Sequence, residues 1–209
     1  MEEENHTHTP EETTDTALRI LHRYWQYPQF RGVQREIIDS VMSGRDTLGL
    51  MPTGGGKSLT FQVPALMLPG VTLVVTPLIA LMKDQVSHLR HRGIQASAIY
   101  SGMTHADILQ VLDNAVLGGV KLLYISPERI GTDLFQKKLR HMQVSLITVD
   151  EAHCISQWAM ISAHPTSRFV TSGSYCPVCL SWRSPPQPPH WWWTTYNSCS
   201  SFPSATCSR

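Results

Sequence analysis

Apolar positions along the chain follow two different periods in turn. Leu18, Leu21 and Trp25 share one helical face, and Ile37, Ile38, Val41 and Met42 share another, closed by Gly44. Short, nearly continuous apolar runs lie at residues 47–51, 71–76, 96–100, 121–125 and 145–149, and these predict buried strands. Between them run amphipathic stretches at 79–92, ended by Gly93, and at 106–117, opened by Thr104 and closed by Gly118 and Gly119. A third, shorter stretch carries Phe135 and Leu139. Alternating strands and helices of this length predict an α/β fold, a parallel sheet covered by helices on both faces.

Two segments at strand ends carry chemistry. Residues 51–58 read MPTGGGKS and follow the first strand. Gly54, Gly55 and Gly56 let the backbone curl so that its N–H groups face phosphate oxygens, and a helix starting near Lys57 adds the positive end of its dipole. Lys57 is placed to neutralise the outer phosphates. Met51 stands where the strict phosphate-loop pattern has its first glycine, so the flanking strand and helix carry much of the inference. Residues 149–156 read VDEAHCIS and end the last strand; Asp150 and Glu151 offer a carboxylate for a magnesium ion and one to polarise water. Surface carboxylate pairs are common, and it is the second strand end that makes this pair specific.

The residues then carry a resemblance covering nearly all of 17–158. YPQFRGVQREII (27–38), MPTGGGKSL, VVTPLIALMKDQV (74–86), YSGMT (100–104), YISPER (124–129) and DEAHCISQW (150–158) resemble, in order, the segments of the amino-terminal motor domain of RecQ-type DNA helicases. The resemblance implies a RecA-like domain that binds ATP and Mg2+ and works on single-stranded or partially duplex DNA in the 3′ to 5′ direction. It implies that Tyr27, Arg31 and Gln34 hold the adenine, and that Thr53, Gly54, Gly55, Gly56, Lys57 and Ser58 hold the phosphates, with Ser58 also on the metal. Asp150 would bind magnesium through water, Glu151 would orient the attacking water, and His153 would couple the site to a partner domain. Thr76, Pro77, Ser101 and Gly102 would touch the single-strand backbone, and Gln157 and Trp158 would open an aromatic-rich loop that senses DNA. Gly32-Val33 replaces the Pro-Gly that usually precedes the glutamine. Other readings of the same motifs are an RNA helicase and a non-catalytic ATP- or nucleic-acid-binding fragment.

Composition changes the picture at Trp158. The whole chain has a formal net charge of +1, but residues 1–158 hold 14 of the 17 Lys and Arg and all 16 Asp and Glu, a net of −2. That balance argues against strong non-specific DNA affinity from this part alone. Residues 159–209 contain no Asp, Glu or Lys, yet hold Cys176, Cys179, Cys199 and Cys207. Where the family continues Gly-[His/Tyr]-Asp-Phe-Arg-Pro, this chain has Ala159 to His164. Restoring one G beside the Trp158 codon permits Gly-Tyr-Asp-Phe-Arg-Pro there and Pro-Val-Leu-Ala-Leu-Thr-Ala-Thr-Ala-Thr-Pro-Leu from Cys179 onward. Residues 159–209 are therefore expected to be an out-of-frame, unstructured tail, and the motor domain 16–158 to be incomplete. It would lack a central strand between the phosphate-loop strand and the DEAH strand. The chain as written is then expected to fold poorly and to lack unwinding activity. The rival, zinc held through Cys176-Pro-Val-Cys179, has no second close pair, and no zinc is expected.

Residues 1–15 hold six acidic and no basic side chains and are expected to be a disordered leader. Glu2, Glu3 and Glu4 stand where a signal peptide needs positive charge, and no apolar run is long enough for a bilayer, so a cytoplasmic location and no membrane partner are expected, nucleoid-associated if the source is bacterial.

Overall fold

A computed structural model describes residues 10–49, 51, 55–150 and 178–181. Two helices, α1 (Pro10–Trp25) and α2 (Gln34–Met42), precede the short strand β1 (Thr47–Leu48) and helix α3 (Leu59–Met67). Then follow β2 (Val71–Val75), α4 (Ile79–His91), β3 (Ala96–Ile99), α5 (His105–Val116), β4 (Leu122–Ile125), α6 (Pro127–Ile130), α7 (Asp133–Leu139), β5 (Val144–Val149) and β6 (Val178–Ser181). The strand order is β1-β6-β5-β2-β4-β3. β2 is parallel to β4 and β5, and β3 is parallel to β4.

Alternation along the strands sorts side chains onto two faces, as the pleat requires. Val71, Leu73, Val75, Ile99, Leu123, Ile125, Ile147 and Val149 meet α5 and α7 through Ile108, Leu112, Ala115 and Phe135. Val74, Ala96, Leu122, Tyr124 and Leu146 face the other way, against Ile37 and Val41 of α2, Phe61 and Ala65 of α3, and Met82, Val86 and Leu89 of α4. A smaller cluster, Ala17, Leu21, Ile38, Leu59 and Val63, fastens α1 to α2 and α3. All five residues of β2 are buried, which is why the central strand reads as an unbroken apolar run.

Local chemistry sets the element ends. Thr104 caps α5, its hydroxyl accepting from the Asp107 N–H. Leu68 turns the chain out of α3, and Gly70, at φ +72, could not be alanine, because a Cβ there would stand 2.2 Å from the Gln143 carbonyl oxygen. Lys121 lies across this turn, its Nζ donating to the Gly70 carbonyl at 3.1 Å and to the Leu68 carbonyl, and burial pushes its pKa down.

Two expectations are corrected. The leader was expected to extend through Asp15, whereas α1 begins at Pro10, a residue whose fixed φ suits a first helical turn. The tail was expected to be unstructured and the position between the phosphate-loop strand and the DEAH strand to lie open. Instead, residues 178–181 form β6, which occupies that position, antiparallel to both β1 and β5. Being antiparallel to the same strand, β1 and β5 run in the same direction, so the sheet has five parallel strands and one reversed. Two facing rows of unpaired N–H and C=O groups are costly to leave open, and a reversed strand satisfies them as an aligned one would.

Candidate nucleotide site

The carboxyl ends of the parallel strands lie along one edge of the sheet, the edge at which ligands bind in open α/β folds. Along it come the loop after β1, Thr76 after β2, Ser126 after β4 and Asp150 after β5. Backbone bonds tie these ends together: Asp150 N–H donates to Val75 O at 2.8 Å, Thr76 N–H to Ile125 O at 3.2 Å, and Ser126 N–H to Ile99 O at 3.0 Å.

The described half of the phosphate loop, residues 55–58, leads directly into α3. Gly56 adopts φ +74, and its carbonyl accepts the N–H of Leu59 at 3.1 Å, while the Lys57 and Ser58 carbonyls accept from Thr60 and Gln62, both at 2.9 Å. These bonds start the helix under the loop and point its amino end toward the place where phosphate would sit. Gln34, only 2% exposed, braces the turn: its Nε2 donates to Gly55 O at 2.9 Å and Gly56 O at 3.2 Å, and its Oε1 accepts the Arg31 N–H at 2.9 Å. The Gln34 amide, which the resemblance gives to adenine, braces the phosphate loop in this structure. The Arg31 guanidinium lies 5.7 Å from the centre of the Tyr27 ring, and Tyr27 is 42% exposed, an available stacking face.

Gly56→Ala is expected to be damaging beyond its size. The positive φ alone costs an L-residue about 1–2 kcal/mol, and the new Cβ would stand 2.5 Å from Gln34 Nε2, driving the amide off both carbonyls. Urea unfolding should show a loss of that order together with weaker nucleotide binding; unchanged stability would show that the loop does not need this conformation.

A cleft of about 390 Å³ opens beside the loop, lined by Trp25 and Tyr27, by Gly56, Ser58 and Gln62, and by Asp84, Gln85 and His88 of α4 with Arg92 just past its end. Asp84, His88 and Arg92 recur every four residues and so form one stripe of the helix and its cap. A chain of polar groups runs from half-buried Ser58 and Gln85 in the cleft to buried Gln62 and Tyr124. Gln85 Nε2 donates to Ser58 Oγ at 2.8 Å, Gln62 Nε2 donates to Gln85 Oε1 at 2.7 Å, and Tyr124 hydroxyl donates to Gln85 Oε1 at 3.3 Å. Burial, and after it the nearby Asp150 charge, pushes the Tyr124 hydroxyl far above its usual pKa, outweighing the bond from Gln62. Asp150, which follows the last residue of β5, is 3% exposed.

Farther along the edge, Ser101 and Gly102 are exposed, while Thr76 is 1% exposed. The Glu128 carboxylate accepts from Ser101 Oγ at 2.5 Å and Ser126 Oγ at 2.7 Å. Burial pushes Glu128 up, but these bonds and the adjacent Arg129 charge outweigh it and hold the carboxyl below its usual range. Thr76 Oγ1 and Arg129 Nε are buried and lack a hydrogen-bond partner among the described residues. Thr53, Gly54, Glu151, His153, Gln157 and Trp158 lie outside the described residues. Sequence reasoning missed Gln62, Gln85, Tyr124 and the α4 stripe; the one available signal was Gln62, a lone amide within the apolar run of α3.

Comparison with known proteins decides the family. A family profile described as DEAD/DEAH box helicase matches residues 31–171. The chain belongs to the DEAD/DEAH box helicases. Within that family it is similar to the ATP-dependent DNA helicase RecQ of Pasteurella multocida, 48% identical over 143 residues, which cover 68% of this chain and 23% of that protein. It is similar as well to RecQ of Bacillus subtilis, 46% identical over 143 residues, 68% of this chain and 24% of the relative. The chain thus spans about a quarter of the length of these curated relatives, and the matched region is a RecQ-like helicase motor domain. A solved structure of a hypothetical ATP-dependent RNA helicase from Sulfolobus tokodaii shares the fold, with a TM-score of 0.54 at 24% identity over 70% of this chain and 44% of that one.

Proposed function

We propose that this chain is the nucleotide-binding motor domain of a RecQ-like DNA helicase, which holds ATP with Mg2+ and, in the intact protein, turns over ATP to translocate 3′ to 5′ along single-stranded or partially duplex DNA in the cytoplasm. The observation that carries the reading is the turn at residues 55–58, braced by the Gln34 amide and leading into the amino end of α3 beside the cleft; Ser58 lines that cleft and Asp150 lies at the end of β5. A hydroxyl and a carboxylate, both oxygen donors, suit a hard divalent cation, and the cation would supply charge compensation for the triphosphate. This chain's own residues do the rest. The Gln34 amide keeps the loop curled, Lys57 balances the outer phosphates, Tyr27 and Arg31 offer a face for the base, and Glu151 orients water. Ser101, Gly102 and Pro77 lie along the edge on which a nucleic-acid backbone would lie, while Thr76 beside them is buried.

A second reading is a nucleotide-binding domain with no turnover of its own. Phosphoryl transfer in this class draws on an arginine from across the cleft, worth roughly 10³ to 10⁵ in rate in comparable systems. ATP hydrolysis, measured with and without single-stranded DNA, separates the readings. The intact protein is expected to hydrolyse ATP in a DNA-dependent way, and the 209-residue chain to bind ATP weakly without unwinding. Strand separation by the 209-residue chain would contradict this division, and stimulation by RNA in place of DNA would move the substrate to the RNA-helicase alternative.

A further inference from the structure

We propose that Gln85 is the positioning residue for Ser58, fixing which face of the Ser58 hydroxyl is left for the cation that accompanies a bound triphosphate. The inference rests on the nucleotide reading of this site and deepens it. A serine hydroxyl has one proton and two acceptor lone pairs. Gln85 Nε2 donates to Ser58 Oγ at 2.8 Å, so one lone pair is taken from the α4 side, and the proton has to point elsewhere. One lone pair remains for a metal. The Gln85 amide is itself held, because its Oε1 accepts from Gln62 Nε2 at 2.7 Å and from Tyr124 hydroxyl at 3.3 Å, which presents the N–H side to Ser58.

The frame around these groups is rigid. Gln62 is 4% exposed and Tyr124 fully buried, and the three donors and acceptors come from α3, α4 and β4, elements packed together through Phe61, Met82, Val86 and Leu89. The polar network leads out of the core. It ends on Ser58, half-buried in the cleft that Gln85 also lines. Pre-setting a ligand's orientation through a partner behind it is the general way in which a protein tunes a metal donor.

The test is a fluorescent-ATP titration of the 209-residue chain in Mg2+ and in EDTA, for wild type, Gln85→Met, Gln85→Asn, Ser58→Ala and the Ser58→Ala/Gln85→Met double variant. Methionine keeps the volume and removes the donor; asparagine stays polar but falls short of Ser58, which keeps the test alive if the apolar variant does not fold. The quantity read is the ratio of affinity with Mg2+ to affinity without it. Losing one neutral hydrogen bond is expected to lower that ratio about 3- to 10-fold in either single Gln85 variant. With Ser58 already alanine, Gln85→Met should lower it no further. A folded Gln85 variant with the wild-type ratio, or a full additional fall in the Ser58→Ala background, overturns the proposal. Wild-type binding that ignores Mg2+ overturns it while leaving nucleotide binding in place, and no wild-type binding at all removes the nucleotide reading and this inference with it.

Discussion

Phe61→Ala is expected to cost about 3–5 kcal/mol of folding stability, the range for truncating a buried aromatic. Phe61 is fully buried between the sheet and helices α2 and α4, the contact through which α3 is seated. A domain of ordinary stability holds about 5–15 kcal/mol, so the loss should leave a large unfolded fraction. The consequence reaches the site, because α3 begins at the phosphate loop and carries Gln62. Urea denaturation followed by circular dichroism checks this: a drop below about 1 kcal/mol would show that the core around α3 is not packed as described.

Lys57→Ala should weaken ATP binding by about 30- to 150-fold. Removing an ammonium from a phosphate site takes away charge-assisted hydrogen bonds worth roughly 2–3 kcal/mol, which converts at 1.4 kcal/mol per tenfold. Lys57 is half-buried in the loop turn, so solvent screens it only in part. Its backbone carbonyl also accepts from the Thr60 N–H and hydroxyl, contacts that alanine keeps. Calorimetric titration of both proteins gives the ratio; equal affinities would remove Lys57 from the phosphate site.

The central strands were legible because burial on both faces forces an unbroken apolar run, as in β2, with observed ends within a residue or so of the expected 71–76, 96–100, 121–125 and 145–149. Helices α4 and α5 were legible because each has one apolar face. Helix α3 has no polar face, with residues 59–65 all buried, so only its start near Lys57 could be inferred. The acidic segment after Pro10 looked like a leader because its composition favours solvent, yet it continues the helix that Ala17 and Leu21 anchor in the core. β6 could not be foreseen from pattern: four residues carry too little periodicity, and what selects them is the need of β1 and β5 for backbone partners. The motifs pointed to the sheet edge because they fall at strand ends, as the positions of residues 55–58 and Asp150 show. The Gln62, Gln85 and Tyr124 network was hidden because its members come from separate elements, 23 to 62 residues apart in the chain.

Hydrogen exchange of the 209-residue chain, with and without Mg2+ and ATP, reads the loop amides themselves. Phosphate oxygens held by loop amides must slow exchange where those amides lie. The expected result is ATP-dependent protection concentrated in peptides covering residues 55–62 and 31–34, absent in Lys57→Ala. Protection confined to other segments, or none at nucleotide concentrations that saturate binding, would contradict the placement of the triphosphate at the head of α3.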